Sequence, residues 1–326
     1  MADKTVGLAG CGYWGINLAR NFFDLGVLHT VCDPVDAVLE TIRQKHPGTA
    51  VTADFEAVVC NNEIKAVAIA APAAEHYRLA KRCLEAGKDV YVEKPLALRV
   101  AEAQELVMMA EQKGRILMVG HILQYHPAVL KLKELIEKKE LGDIQYIYSN
   151  RLNIGKLRTE ENILWSFAPH DISVILMLIG KDPVKVSCTG ARCLGRDVYD
   201  STITVLDFPG NIKGHIFVNW LHPFKEQKLI VVGSKSMAVF DDVSEEKLCL
   251  FPHVIDWQNN GTLPVARKAQ RLVVPIEQKE PLREELAHFL SCIAARTTPR
   301  TDGHEGMRVL RVLEAAEKGL TNDTNG

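Results

Sequence analysis

The chain opens with a short apolar run, Val6-Gly7-Leu8-Ala9, that leads into Gly10-Cys11-Gly12-Tyr13-Trp14-Gly15. An amphipathic stretch from Gly15 to Leu25 follows, with Ile16, Ala19, Phe22 and Phe23 on its apolar side. Strand, G-x-G-x-x-G and helix in that order constrain the fold more than any other feature. The first glycine makes a tight turn, the second lets backbone approach a pyrophosphate, and the third permits close helix–strand packing. Phosphate then meets free N–H groups at the positive end of the helix. Gly10, Gly12, Tyr13, Trp14 and Gly15 are therefore the expected nucleotide loop.

The following segments keep the same rhythm. Leu28 to Cys32 reads as a strand and Val35 to Lys45 as a helix. The continuous apolar run Val67 to Ala70 is a strand buried on both faces. A helix over Ala74 to Ala86 stops at Gly87, then come a strand at Asp89 to Val92, a helix at Arg99 to Lys113 and a strand at Ile116 to Val119. Strands separated by helices imply parallel pairing with right-handed crossovers. Asp33 closes the second strand about 20 residues after the glycines, where a carboxylate accepts hydrogen bonds from the adenosine ribose and repels a 2′-phosphate. That position selects NAD, although Asp33-Pro34 also reads as a turn dipeptide.

After His121 the pattern changes. One helix spans Ala128 to Lys139, and strand-like runs then dominate: Ile144–Ser149, Val184–Arg192, Thr202–Phe208, Ile212–Trp220, Leu229–Val232, Met237–Phe240, Leu248–Phe251 and Leu272–Ile276. They predict a large, mainly antiparallel sheet, with helices over Asp171–Ile179, Leu282–Arg296 and Glu305–Lys318 covering one face. The expected architecture is an α/β Rossmann domain with a parallel, doubly wound sheet over residues 1–122. An α+β domain for substrate binding and oligomerisation follows over 123–326.

At 326 residues two domains of ordinary size are expected. A net charge of −2 supplies no basic field for nucleic acid or an anionic membrane, so an anionic ligand must be met by local cations. No run approaches the ~20 apolar residues of a membrane span. The N-terminus lacks a signal-peptide pattern. The eight cysteines are scattered without a C-x-x-C, which argues against structural zinc and for a reduced, cytoplasmic setting.

Chemistry concentrates at three places. Glu93-Lys94-Pro95 ends the strand at Asp89–Val92, so a carboxylate and an ammonium point into the crevice at the carboxyl ends of the sheet. Ala71, Pro72 and His76 follow the preceding strand, where small residues let a cofactor cross and His76 can approach the nicotinamide ribose. Pro169-His170-Asp171 reads as a helix start with proline in the first turn. The positive helix end would there favour a neutral imidazole at His170, as suits a base.

Together these residues resemble the Gfo/Idh/MocA oxidoreductase family along the whole chain. Gly10–Gly15, Ala71-Pro72 with His76, Glu93-Lys94-Pro95 and a helix-opening histidine are its landmarks, in order. Within it the chain is most similar to UDP-N-acetylglucosaminuronic acid 3-dehydrogenases of bacterial surface-polysaccharide synthesis. Gly12-Tyr13-Trp14-Gly15, Arg151 to Gly155, Asn162-Ile163-Leu164-Trp165, Ala168 to Ile172, Trp220 to Lys225 and Phe240-Asp241-Asp242 carry that similarity.

The resemblance implies NAD as cofactor and a UDP-sugar as substrate, lying over the nicotinamide. Lys94 hydrogen-bonds the reacting hydroxyl and His170 accepts its proton, although a desolvated lysine is itself eligible as the base. Ser166 stands where many relatives carry a carboxylate four residues before the histidine, with Asp171 able to compensate. Lys156, Arg158 and Lys225 are expected to meet the substrate's negative charges, and Asn153, Asn162 and Trp165 its hydroxyls and ring faces. The implied assembly is a homodimer or homotetramer, with NADH either leaving each cycle or reoxidised in place by 2-oxoglutarate. The alternatives are another sugar or inositol dehydrogenase of the family, and an NAD-binding regulator without catalysis.

Overall fold

The computed structural model describes residues 4–155, 157–158, 161–195, 198–258 and 260–322. The chain divides into two compact units, Met1–Ile122 with Glu280–Arg311, and Leu123–Lys279 with Val312–Gly326.

In the first unit, β1 (Val6–Ala9), α1 (Gly15–Asp24), β2 (Leu28–Cys32), α2 (Asp36–Lys45), β3 (Ala50–Thr52) and α3 (Phe55–Val59) form one half. β4 (Ala66–Ile69), α4 (Ala73–Glu85), β5 (Asp89–Glu93), α5 (Val100–Lys113) and β6 (Leu117–Gly120) form the other. All strands pair in parallel in the order β3-β2-β1-β4-β5-β6. The order reverses between β1 and β4, which puts the glycine loop at the switch point where such sheets bind ligands. β1 and β4 are buried at every position, as their uninterrupted apolar runs require. On α1 the buried residues are Gly15, Leu18, Ala19, Asn21 and Phe22; Ile16 and Phe23 lie at the margin.

The second unit holds α6 (Pro127–Glu137), β7 (Ile144–Leu152), α7 (Ile163–Ile179), β8 (Lys185–Ala191), β9 (Ser201–Phe208), β10 (Ile212–Asn219) and β11 (Glu226–Gly233). It continues with β12 (Met237–Asp241), β13 (Leu248–Phe251), β14 (Val254–Gln258), β15 (Leu263–Arg267) and β16 (Leu272–Val273). Eight strands form one sheet, β16-β13-β12-β11-β7-β10-β9-β8, antiparallel throughout except for the β7–β10 pair. Strict alternation along β9 buries Thr202, Thr204, Leu206 and Phe208 on one face and leaves Ile203 and Val205 exposed on the other. β14 and β15 form a separate hairpin that its polar, weakly alternating sequence did not reveal.

Two expectations are corrected here. The helix at Leu282–Arg296, α8 (Pro281–Ala295), belongs to the first unit and does not cover the large sheet. Polar contacts hold it at both ends: Glu280 bonds Arg20 and accepts from Asn21 Nδ2 at 3.0 Å, and Arg296 reaches Asp89 at 2.7 Å. Between them Phe289 meets Tyr91 edge-on at 5.8 Å. The last helix, α9 (Gly303–Asn322), passes from one unit to the other after Arg311.

The second correction concerns Pro169, which does not open a helix. α7 starts at Ile163, with the Asn162 side chain accepting from Trp165 N at 3.2 Å, and Pro169 lies inside it. An interior proline loses a hydrogen bond and crowds the preceding turn, at a cost of ~3 kcal/mol. Burial of Ile163, Leu164, Trp165, Ala168, Ile172, Val174, Ile175, Leu176 and Leu178 outweighs it. Asp171, on the same helix, is 3% exposed and accepts from Arg151 Nε at 2.7 Å, with Arg151 itself 8% exposed. Removing one member of such a pair leaves a buried charge. Asp171→Asn should destabilise the protein by about 3–5 kcal/mol in urea unfolding, far more than loss of an exposed pair such as Lys139–Asp143.

Candidate active site

The glycine loop is a place where backbone meets backbone. A Cβ on Gly15 would fall 2.3 Å from the Gly10 carbonyl oxygen, and one on Gly10, whose φ is +87°, would fall 2.6 Å from the Ala71 nitrogen. A side chain at Gly10 would push the loops after β1 and β4 apart, and one at Gly15 would break the turn of the glycine loop itself. Gly12 differs, since a Cβ there meets nothing within 4 Å. The space beside Gly12 is open for a ligand, and Trp14 at the start of α1 makes no side-chain cap. Ile16 N and Asn17 N in the first turn already donate to the Gly12 and Trp14 carbonyls, so what this end offers a phosphate is the positive end of the helix dipole. Burial, with the Asp33 charge second, pushes the Cys11 thiol up to about 12, so it adds no negative charge to the loop. These features fit NAD.

Asp33 is buried, with both carboxylate oxygens engaged. Oδ2 accepts from Cys11 N at 2.8 Å and Oδ1 from Val35 N at 2.9 Å. The second bond is the turn expected of Asp-Pro. The first ties the end of β2 to the glycine loop.

Glu93, the last residue of β5, accepts from the Trp14 indole Nε1 at 2.7 Å, and its Oε1 lies 3.0 Å from the Tyr91 hydroxyl. Burial raises its pKa; hydrogen bonds from Trp14 and Tyr91 and the Lys94 charge pull the other way. The Trp14 bond joins the nucleotide loop to the strand end that carries Lys94. Lys94 is half-buried, and its peptide bond to Pro95 is cis.

His76 departs from the expectation of a nicotinamide contact. It is 1% exposed, with Nδ1 at 2.7 Å from the Pro95 carbonyl and Nε2 at 2.8 Å from the Ala71 carbonyl. Both ring nitrogens therefore face backbone inside the first unit. They join the loop after β4 to the segment after Lys94. Ala71 is half-buried, and Pro72 is exposed at the start of α4.

In the second unit His170 is half-buried in the middle of α7. The N-terminus of α7 therefore does not face its imidazole, and the helix dipole does not hold the ring neutral. Asp171 is committed to Arg151, which leaves its carboxylate bound to a guanidinium rather than set aside for the histidine. Ser166 is buried one turn before His170. Asn162 serves as the helix cap, and Trp165 is 7% exposed. Asn153 is half-buried just past β7, and Lys225 is exposed. Arg158 is exposed and pairs with Glu161 at 2.9 Å. Lys156 lies outside the described residues. Among the described residues, no group of three or more His, Cys, Asp or Glu is placed to hold a metal ion, and no helix is long and apolar enough to cross a membrane.

Two residues escaped the sequence reading, Tyr91 and Glu285. A signal for Tyr91 existed, since Tyr91 and Glu93 alternate on one face of β5. Glu285 carried none, because an acid on an amphipathic helix ordinarily faces water.

Comparison with known proteins agrees with this geometry. Residues 4–121 match the family described as an oxidoreductase family with an NAD-binding Rossmann fold, and residues 129–239 match the GFO/IDH/MocA C-terminal domain. The UDP-N-acetylglucosamine 3-dehydrogenase of Acidithiobacillus ferrooxidans is 25% identical over 249 residues, covering 76% of each chain. The myo-inositol 2-dehydrogenase of Thermotoga maritima is 22% identical, covering 97% of this chain and 96% of its own. A solved structure of the Acidithiobacillus enzyme superposes with a TM-score of 0.86 at 22% identity, covering 99% of both chains. With the glycine loop, the parallel sheet and the large second sheet all in place, the chain belongs to the Gfo/Idh/MocA family and is an NAD-dependent oxidoreductase acting on a sugar or alcohol hydroxyl.

Proposed function

We propose that the chain oxidises the 3-hydroxyl of a UDP-sugar uronate, of the UDP-N-acetylglucosaminuronic acid type, to the 3-keto sugar in bacterial surface-polysaccharide biosynthesis. The observation that carries the chemistry is the Trp14–Glu93 hydrogen bond, which holds the strand end bearing Lys94 against the nucleotide loop. The similarity to a sugar-nucleotide 3-dehydrogenase over three quarters of both chains supports the substrate class. Exposed Lys225 and Arg158 are available to phosphate or carboxylate, Arg158 on giving up Glu161.

Bound NAD supplies the hydride acceptor. Lys94 donates a hydrogen bond to the reacting hydroxyl and stabilises the alkoxide as it develops, while His170 takes the proton. Lys94 belongs to the first unit and His170 to the second. The exposed Ile203 and Val205 on the outer face of the large sheet support self-association as a dimer or tetramer. The full-length likeness to a myo-inositol dehydrogenase supports a second reading, oxidation of an uncharged polyol. Incubation with UDP-sugars and free polyols, followed by NADH absorbance and assay of 2-hydroxyglutarate formed from 2-oxoglutarate, separates the two readings and tests the reoxidant. Turnover of inositol and of no UDP-sugar would overturn the first.

Asp33→Ala should weaken NAD much more than NADP, because ribose hydrogen bonds and repulsion of the 2′-phosphate vanish together. An unchanged ratio of the two dissociation constants would leave Asp33 as a turn residue only. Lys94→Met should lower kcat by at least ~10²-fold with NAD binding nearly intact. Activity within a few-fold of the parent would remove Lys94 from the chemistry.

His170→Asn should lower kcat by ~10²–10⁴-fold with little change in substrate affinity. A base works only when unprotonated, so His170 would produce a fall in rate on the acid side. That acid limb should be absent from the pH–rate profile of the variant. Persistence of the limb would assign the titration to another group.

A further inference from the structure

Below the strand end that carries Lys94 lies a buried cluster that the proposed chemistry leaves unused. The Tyr91 hydroxyl is 3.0 Å from Glu93 Oε1 and 3.1 Å from Glu285 Oε2. Tyr91 and Glu285 are both 0% exposed. Gly120 leaves room for the cluster, since a Cβ there would fall 2.6 Å from the Tyr91 hydroxyl and 2.9 Å from Glu93 Oε2.

Counting hydrogens decides the protonation state. Two short oxygen–oxygen contacts at one hydroxyl need two hydrogens, and a phenol supplies one. Were both carboxyls ionised, one contact would set lone pair against lone pair. Two like charges would also flank one hydroxyl out of reach of water. Glu93 Oε1 already accepts from Trp14 Nε1, so it is the oxygen held as an acceptor, and Tyr91 donates to it. The remaining hydrogen must come from Glu285, whose Oε2–H then donates to the Tyr91 oxygen. Its other oxygen, Oε1, is buried with no hydrogen-bond partner, a lesser cost for the carbonyl of an acid than for a carboxylate.

We propose that Glu285 is a positioning residue that holds a proton at neutral pH and, through Tyr91, fixes Glu93 and the Trp14 indole in the arrangement that binds the dinucleotide. The charged and titratable surroundings agree. Glu93 faces Glu285 from the end of β5, with the Lys94 charge acting on Glu93 from the next residue, and Glu305, paired with His121, faces it from the start of α9. At the cap of α8 Glu280 is bound by Arg20 of α1, while on the helix His288 contacts Cys292. Burial first, and the Glu93 charge second, hold the Glu285 carboxyl well above the usual carboxylate range.

The direct test is infrared difference spectroscopy of the intact protein in D2O at neutral pH. The carbonyl band of an un-ionised carboxylic acid should be present in the parent and absent from Glu285→Gln. No such band in the parent, or a band that survives in Glu285→Gln, overturns the proposal. Survival would place the proton on another carboxyl.

Stability gives a second reading with a definite sign. A carboxyl whose folded pKa is raised contributes full stability below its unfolded pKa of about 4.3, and loses it as pH rises from there toward the folded pKa. The melting temperature of Glu285→Gln should therefore rise relative to the parent between about pH 5 and pH 8. A constant difference overturns the proposal.

For function, Glu285→Leu should weaken NAD binding several-fold and Glu285→Gln should restore most of it, since the amide can still donate to Tyr91. Equal loss in both variants would leave Glu285 a packing residue only. Should the leucine variant fail to fold, the infrared band and the pH slope of the glutamine variant still decide. None of these readouts uses turnover, so they stand apart from the identity of the substrate.

Discussion

The first unit depends on the close approach of the loop after β1 to the loop after β4. A Cβ on Gly10 would fall 2.6 Å from the Ala71 nitrogen, so the two loops leave less than a methyl group's clearance. Once the loops touch, other bonds gather around them. Asp33 accepts from Cys11 in the same loop, and His76 fastens Ala71 to Pro95. Trp14 fastens α1 to Glu93. The nucleotide loop, the Asp33 carboxylate and the segment bearing Lys94 are thus parts of one polar lattice. Its members are short-range within the fold and distant in sequence.

The second unit rests on a different balance. α7 is apolar on nearly every side, and its burial against the large sheet overrides the helix-breaking tendency of Pro169. The Arg151–Asp171 pair then anchors the helix to β7. His170 stands between the proline and this ion pair, on a rigid element whose rotation is set by packing. The base role proposed for His170 would benefit from such fixation, because misplacement of a proton acceptor by about an ångström is costly in rate.

Much of this was legible before any coordinates. The glycine spacing, the apolar runs and the residues capping them announced the parallel sheet, and alternation announced the large antiparallel one. Local periodicity carries such information because helices and strands repeat every 3.6 and 2 residues. The aspartate at the end of β2 and the Glu93-Lys94-Pro95 segment were visible for the same reason, since strand ends are read from where an apolar run stops. The β14–β15 hairpin was missed because Asp256, Trp257, Pro264 and Arg267 give no clean alternation.

What the sequence by itself determined is which segments are helix or strand, and which residue types stand at strand ends. Tertiary structure alone decided that α8 joins the first unit, because Glu280, Phe289 and Arg296 meet partners on α1 and β5 that no local pattern names. It turned His76 from a cofactor ligand into a backbone clamp and placed Glu285 against Tyr91 in the dark of the core. Proline signals a helix start when only local cost is weighed, and it took the burial of α7 to place Pro169 inside one. Hydrogen-bond partners and burial are properties of pairs far apart in the chain, so they come into being only when the chain has folded.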